Sequence, residues 1–316
     1  MTYVLKPSEV RERYGPLFCK GFFTLVDEEN GVAQIIEQCS AVGPAEWDVV
    51  NRRRTKGIIT GVRLRSGKIV TDVVIGEGDI RFGPAQINIG GQGIKSLKVE
   101  GDEVRTTWYG IAGASVGIGA CLPQCEDVLR TEYPDDFKIG GANRAHVDII
   151  TPKYVRVVIG IDDTDTKEKG ASWVTSLKMG TQCTIAKFLE HKIIQLNPNV
   201  PTKTTNCCST AVSFAVKEED VPALIEYAVD FVRKESLSDG SVVTVFKGLK
   251  VPEPLKEFGW SCKSVLYKQE DAIRAAEENG VQIISVTGMK GVIGAVAAIG
   301  CFDLGEEAAG IPEDSQ

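Results

Sequence analysis

Two different rhythms of apolar and polar residues divide this chain. Between residues 57 and 109, short apolar stretches recur between glycine turns, and residues 58–64, 68–75, 94–100 and 104–109 read as strands. Ser66-Gly67 and Glu100-Gly101-Asp102-Glu103 have the composition of hairpin connections, so this part predicts an antiparallel sheet or small barrel. Ahead of it, residues 22–26 predict a strand, 33–39 a short helix or a second strand, and 44–50 a helix opened by Gly43-Pro44. Behind it, 121–130 predicts a helix with Pro123 in its first turn, and the glycine- and proline-punctuated stretch 133–152 predicts connection with a domain boundary near 145–153.

The second rhythm is longer. Residues 170–191 predict a helix weakened by Gly180, 193–196 and 211–216 strands, 221–235 an amphipathic helix, 242–246 a strand, 269–279 a helix ended by Gly280, and 281–286 a strand. Alternating strands and helices signal a layered architecture. The predicted class is α+β: a β-rich N-terminal domain over 1–150, then a layered domain over 151–316.

The most informative stretch runs from Val155 to Thr166. Val155, Val157, Val158, Ile159 and Ile161 form a nearly unbroken apolar run, as in a strand buried on both faces. The run stops at Asp162, Asp163 and Asp165, which places three acids at the strand's carboxyl end, where open sheets commonly bind ligands. Carboxylates this close repel one another by about 1 kcal/mol per pair in water. Beside Thr164 and Thr166 they suit magnesium and the phosphates it bridges. The competing reading is a solvated Asp-rich turn with Asp163 capping the next segment.

Composition narrows the classes. With 43% hydrophobic and 25% charged residues the chain is an ordinary globular one, and its net charge of −7 argues against a generally basic nucleic-acid binder. The one dense positive run, residues 51–56, reads as a solvated face or, alternatively, as an RNA or phosphate contact. Residues 1–10 are polar and interrupted by Pro7, and the longest apolar segment, 292–302, is about half what a bilayer requires. The expected location is the cytoplasm, with no membrane contact. Nine cysteines, an odd number in a long chain, read as free thiols. Cys121, Cys125, Cys207 and Cys208 could form a thiolate metal site, but buried thiols are the simpler account. His146 and His191 belong to no ligand-spaced set. Residues 113–120 are glycine-rich and open either a phosphate cradle or close packing.

Three segments together resemble a known family. Gly160-Ile-Asp-Asp-Thr-Asp165, Leu196-Asn-Pro-Asn-Val-Pro201 followed by Lys203-Thr204, and Gly291-Val-Ile-Gly-Ala-Val-Ala-Ala-Ile-Gly300 are similar, in order and spacing, to the kinase-like and ferredoxin-like domains of archaeal tRNA(Ile) agmatinylcytidine synthetase. The likeness covers about residues 154–304. It implies ATP and Mg2+ at Asp162, Asp163 and Asp165, with Gly160, Thr164, Thr166, Gly170, Ser172, Asn197 and Lys290 about the cofactor and Lys203 assisting phosphate. Three departures stand out. Trp173 falls where the family has a threonine implicated in phosphoryl transfer, leaving Ser172 or Thr175 as substitutes. An arginine of the family's Lys-Thr-Arg-Gly-Asn-Gly is lost in Lys203-Thr-Thr-Asn-Cys-Cys208. No stretch corresponds to the family's RNA-binding OB and zinc-ribbon modules. With its different N-terminal half, the chain resembles methanogenesis marker protein 11.

The expectation is an ATP- and Mg-dependent phosphoryl-transfer or ligase-type enzyme tied to methanogenesis, acting on an unidentified acceptor. Alternatives are a non-catalytic ATP-binding assembly factor for a methanogenesis enzyme and an RNA-modifying enzyme. Net acidity and the missing modules weigh against nucleic acid as a partner.

Overall fold

Residues Arg144–Asp162 form one strand of 19 residues. A computed structural model describes residues 2–39, 44–55, 57–65, 67–82 and 86–312. The chain divides into the units Met1–Tyr154 and Val155–Gln316.

In the first unit the strands are β1 (Thr2–Leu5), β2 (Cys19–Asp27), β3 (Val32–Cys39), β4 (Ile59–Arg65), β5 (Lys68–Val74), β6 (Gly76–Glu77), β7 (Gly91–Glu100), β8 (Glu103–Ile111), β9 (Arg130–Pro134) and the first part of β10 (Arg144–Asp162). One sheet is the antiparallel series β4-β5-β3-β2, with β10 joining β2 in parallel at Lys153 and Tyr154. The other runs β6-β7-β8-β10-β9-β1, all antiparallel. Phe22 and Ile35 from the first sheet share a core with Ile94, Trp108, Val147 and Ile149 from the second.

Two expectations fail here. Residues 121–130 are not a helix: short helical turns over 114–124 give way to β9. Nor is 133–152 a connection throughout: 135–143 links β9 to β10, and 144–152 is strand. Ala145, Val147 and Ile149 are buried while Arg144, His146 and Asp148 face outward, the two-residue alternation of a half-buried strand. The glycines and prolines around that alternation masked it. The positive run of 51–56 is solvated only in part: Arg53 and Arg54 are exposed, and Lys56 lies outside the described residues. Arg52 is buried, forming an ion pair with Glu37, bonded to Thr71 and Gln92, and lying 4.9 Å from the centre of the Trp108 ring, while Arg53 donates to the Val62 carbonyl. Ser66 and Gly43 lie outside the described residues.

The second unit has the order strand, helix, two strands, helix, strand. The rest of β10 is followed by helix Ser172–Gln182, β11 (Lys187–Gln195), β12 (Cys208–Val216), helix Val221–Glu235 and β13 (Val242–Lys247). The strands lie in the order β11-β12-β10-β13 and every pair is antiparallel. Each strand–helix–strand unit thus skips one position, the ferredoxin-like arrangement. β14 (Gln282–Ser285) extends the sheet beside β13.

Both faces are covered, which explains the unbroken apolar run of β10. Val157, Ile159 and Ile161 pack with Met179, Leu224, Ala228 and Val232 of the first two helices. Val158 faces the other way, into a core with Leu255, Ala272, Val296 and Ile299 from helices Glu253–Ser261, Gln269–Glu278 and Val292–Cys301. The expected helix over 170–191 stops at Gln182. Gly180 packs against the Phe188 ring, and the chain from Lys187 alternates its way along β12 instead. Among the described residues no helix is long and apolar enough to cross a membrane. The apolar segment near the C-terminus is a core helix, buried from Ala295 to Cys301.

Candidate functional site

Asp162 is the last residue of β10, and strand alternation sends it to the same face as Val158 and Gly160. On that face the helix Val292–Cys301 comes close. A Cβ at Gly160 would strike the Ala295 carbonyl and Thr244 Oγ1, so Gly160 permits close packing of helix on strand. One residue earlier in the helix, a Cβ at Gly294 would overlap Asp162 Oδ2. The carboxylate is therefore seated against the first turn of a ten-residue helix.

Asp162 Oδ1 accepts a 2.8 Å hydrogen bond from the Asp163 amide. Packed surroundings push its carboxyl up to about 8, and its charged neighbours Asp163 and Asp165 act in the same direction. Residual solvent access of Asp162 moderates that effect.

Asp163 adopts a left-handed backbone (φ 57°), which turns the chain sharply out of the strand. Its carbonyl accepts 2.7 Å from Ser241 Oγ. Burial raises its carboxyl, while a hydrogen bond from Ser238 and the nearby Lys290 ammonium pull it down. The segment Ser236–Ser241 thus folds over the acids: Leu237 N bonds the Thr164 carbonyl at 2.9 Å, and Gly291 N bonds the Gly240 carbonyl at 3.0 Å. Ser238, Gly240, Ser241 and Gly294 are absent from the sequence-based set of site residues. The only sequence signal for the first three is a serine- and glycine-rich loop between a helix and a strand.

Asp165 turns elsewhere. Its Oδ1 accepts from Ser172 Oγ at 3.1 Å, and the same hydroxyl receives the Thr164 amide and hydroxyl, each at 3.1 Å. Ser172 is a buried brace for the acidic loop, and Thr175 lies 3.5 Å from Thr164 Oγ1. Thr166 spends its hydroxyl on the amides of Glu168 and Lys169. Gly170, with φ 95°, lets the loop close against Asp165. Trp173, in the family's threonine position, stands 43% exposed.

Among the described residues no group of three or more His, Cys, Asp or Glu side chains converges as metal ligands. Asp162 and Asp163 are neighbours at the strand end, while Asp165 Oδ1 is engaged by Ser172. Two hard oxygen donors still fit magnesium, which keeps waters and phosphate oxygens in its other positions. A carboxyl made costly to ionise by its surroundings and by two like charges is the kind of group a cation would relieve.

The remaining predicted residues separate. Lys290 pairs with Asp239 at 2.5 Å, both exposed, beside Asp163. Lys203 donates to the Pro198 carbonyl, yet it and Asp162 both act on the Cys207 thiol, so it stands near the acidic corner. Asn197 braces its own loop: its amide donates to the Ser264 carbonyl and its oxygen receives Asn199 N. Cys121 and Cys125 are buried in the first unit, with Cys125 Sγ 3.0 Å from Cys19 Sγ. Burial, with Asp162 second, raises the thiols of Cys207 and Cys208.

Comparison with known proteins adds a second line. A family model described as the TiaS TCKD domain matches residues 158–222. The uncharacterized protein MJ0921 of Methanocaldococcus jannaschii is 33% identical over 285 residues, 89% of this chain and 93% of that protein. The tRNA 2-agmatinylcytidine synthetase TiaS of Thermococcus sibiricus is 35% identical over 153 residues, 46% of this chain. The match spans only 35% of that synthetase's length. Among solved structures, a complex of TiaS with tRNA and ATP aligns with 46% of this chain and 36% of its own, at 24% identity and a TM-score of 0.42. The synthetase acts on tRNA by its name and is complexed with tRNA in that structure. The expectation against nucleic acid, drawn from net acidity and the missing modules, is overturned by the sequence match: the segment bearing the acidic motif is 35% identical to a synthetase named for tRNA.

Proposed function

Because this chain belongs to one family with MJ0921 of Methanocaldococcus jannaschii and carries a segment matching the TiaS TCKD domain, we propose that it is an ATP-dependent enzyme of the ligase or phosphoryl-transfer type. The observation that carries the reading is the seating of Asp162 and Asp163 at the end of β10, against the first turn of the helix Val292–Cys301 and under the loop Ser236–Ser241.

In this reading Asp162 and Asp163 hold Mg2+, which supplies charge neutralisation for the nucleotide phosphates when bound. Lys290 leaves its exposed pairing with Asp239 to meet a phosphate oxygen, and Lys203 approaches from the Cys207 side. Ser172, Thr164 and Asp165 keep the loop in shape, and no nucleophile is assigned among them. The acceptor is the second substrate, and the link to methanogenesis, through methanogenesis marker protein 11, belongs to the same proposal. It rests on the likeness of the three motifs, together with the different N-terminal half, to that family.

The test is calorimetric titration of ATP, with and without magnesium, into the protein and into Asp163→Ala. Binding that needs both metal and carboxylate supports the reading; equal binding by the variant overturns it. RNA as the acceptor is a second reading, favoured by the name of the TiaS relatives. ATP consumption stimulated by archaeal tRNA supports it, and consumption indifferent to tRNA removes it.

A further inference from the structure

The first unit contains a cleft of about 510 Å³ lined by Ile80, Arg81, Phe82, Tyr109, Arg144, Ala145 and His146. Its volume suits a mononucleotide-sized ligand. Tyr109 and His146 are direct cross-strand partners on β8 and β10. Their rings are stacked, with centroids 5.1 Å apart and planes within 14°.

His146 is exposed, so a further planar ring can add to a stack already two rings deep. Among the described residues the lining brings two guanidiniums and no carboxylate to the cleft. Lys95, close to Tyr109, is matched by Glu77 at 2.9 Å and adds no net charge.

The same sheet face behaves differently a few residues away. There Arg105 is shared by Glu100, Glu132 and Asp148, and Arg130 pairs with Glu103. Arginines and carboxylates thus alternate at one end of the β8–β10 ladder; at the other end the cleft is lined by arginine beside aromatic rings, Arg144 having interactions of its own and Arg81 standing exposed. Guanidinium beside stacked rings is what a phosphate attached to a planar base requires, since guanidinium matches phosphate geometry and every base has a face that stacks.

We propose that this cleft binds a nucleotide unit, with the base stacked on the Tyr109–His146 pair and the phosphate met by Arg81 and Arg144. The unit comes either from a free nucleotide or from single-stranded RNA. The site is built wholly from the first unit, the acidic corner wholly from the second, and it does not depend on the ATP reading.

The test titrates the full chain with a fluorescently labelled single-stranded RNA of about ten nucleotides, followed by anisotropy, and separately with AMP by equilibrium dialysis. Arg81→Glu and His146→Ala change exposed side chains, and circular dichroism checks that each variant is folded. RNA binding weakened about tenfold in both variants, with steep salt dependence, assigns the strand as ligand. AMP binding weakened in both variants, without RNA binding, assigns the free nucleotide. Absence of binding by the unaltered chain to either probe, or binding equal in the chain and both variants, overturns the proposal.

Discussion

The Asp162 carboxylate occupies the space that any side chain at Gly294 would fill. Strand end and helix start are thus fitted to one another through the absence of a Cβ. Gly294→Ala must push the carboxylate aside or lift the helix, at a cost of about 1–3 kcal/mol for overpacking. The expected result is a lowered melting temperature together with loss of Mg-ATP affinity. Unchanged stability would show that the fit is loose.

Lys290 and Asp239 form an ion pair in full solvent contact. Exposed pairs hold little folding energy, so Lys290→Ala should leave the melting curve where it is. If Lys290 meets a phosphate, ATP affinity should nevertheless fall about tenfold. Calorimetry of the variant separates the two effects, and unaltered affinity would dismiss Lys290 from the site.

Arg52 and Glu37 present the opposite case, a pair with both side chains almost entirely hidden. Removing one partner strands the other charge, so Arg52→Met should cost about 3–5 kcal/mol in chemical denaturation. Combining it with Glu37→Leu should restore much of that loss, because neither member of the ion pair is then left as a stranded charge. A double variant as unstable as the single one would show that the bonds to Thr71 and Gln92 matter more than the charge.

His191 bonds the Thr210 hydroxyl at 2.8 Å, and burial lowers its ring pKa to about 4. In the unfolded chain the value returns to about 6.5. Between these values the unfolded state binds the extra proton, so stability rises with pH across this window. The contribution is whole above about pH 6.5 and lost as pH falls to about 4. His191→Asn should flatten this part of the profile relative to the unaltered chain, and parallel profiles would contradict the account.

The parts legible in the sequence are those where local pattern and tertiary environment agree. β10 read correctly from Val155 onward because helices cover both its faces, and the helix Val221–Glu235 showed its own amphipathic face. The N-terminal half of β10 went unread because its alternation is short-ranged and framed by glycine and proline. The acidic motif was visible as a concentration of charge, but its internal division was not. That Ser172 would claim Asp165, or that Gly294 would seat Asp162, depends on residues 7 and 132 positions away. No local period carries such information. The basic run at 51–56 misled in part for a related reason: Arg52, on the helix Pro44–Arg54, pairs with a glutamate on β3.

β10 also bears on how this protein can be taken apart. Lys153 and Tyr154 are paired with β2 in the first unit, and Val155 with Val216 in the second. The junction is hydrogen-bonded strand on both sides, with no loop in which a gene fragment could begin or end. A truncation at residue 150 or 155 leaves open ladder groups in one product or the other, and such raw edges invite strand pairing between copies. Fragments chosen from domain limits alone would be expected to aggregate, whatever each unit's own core could support.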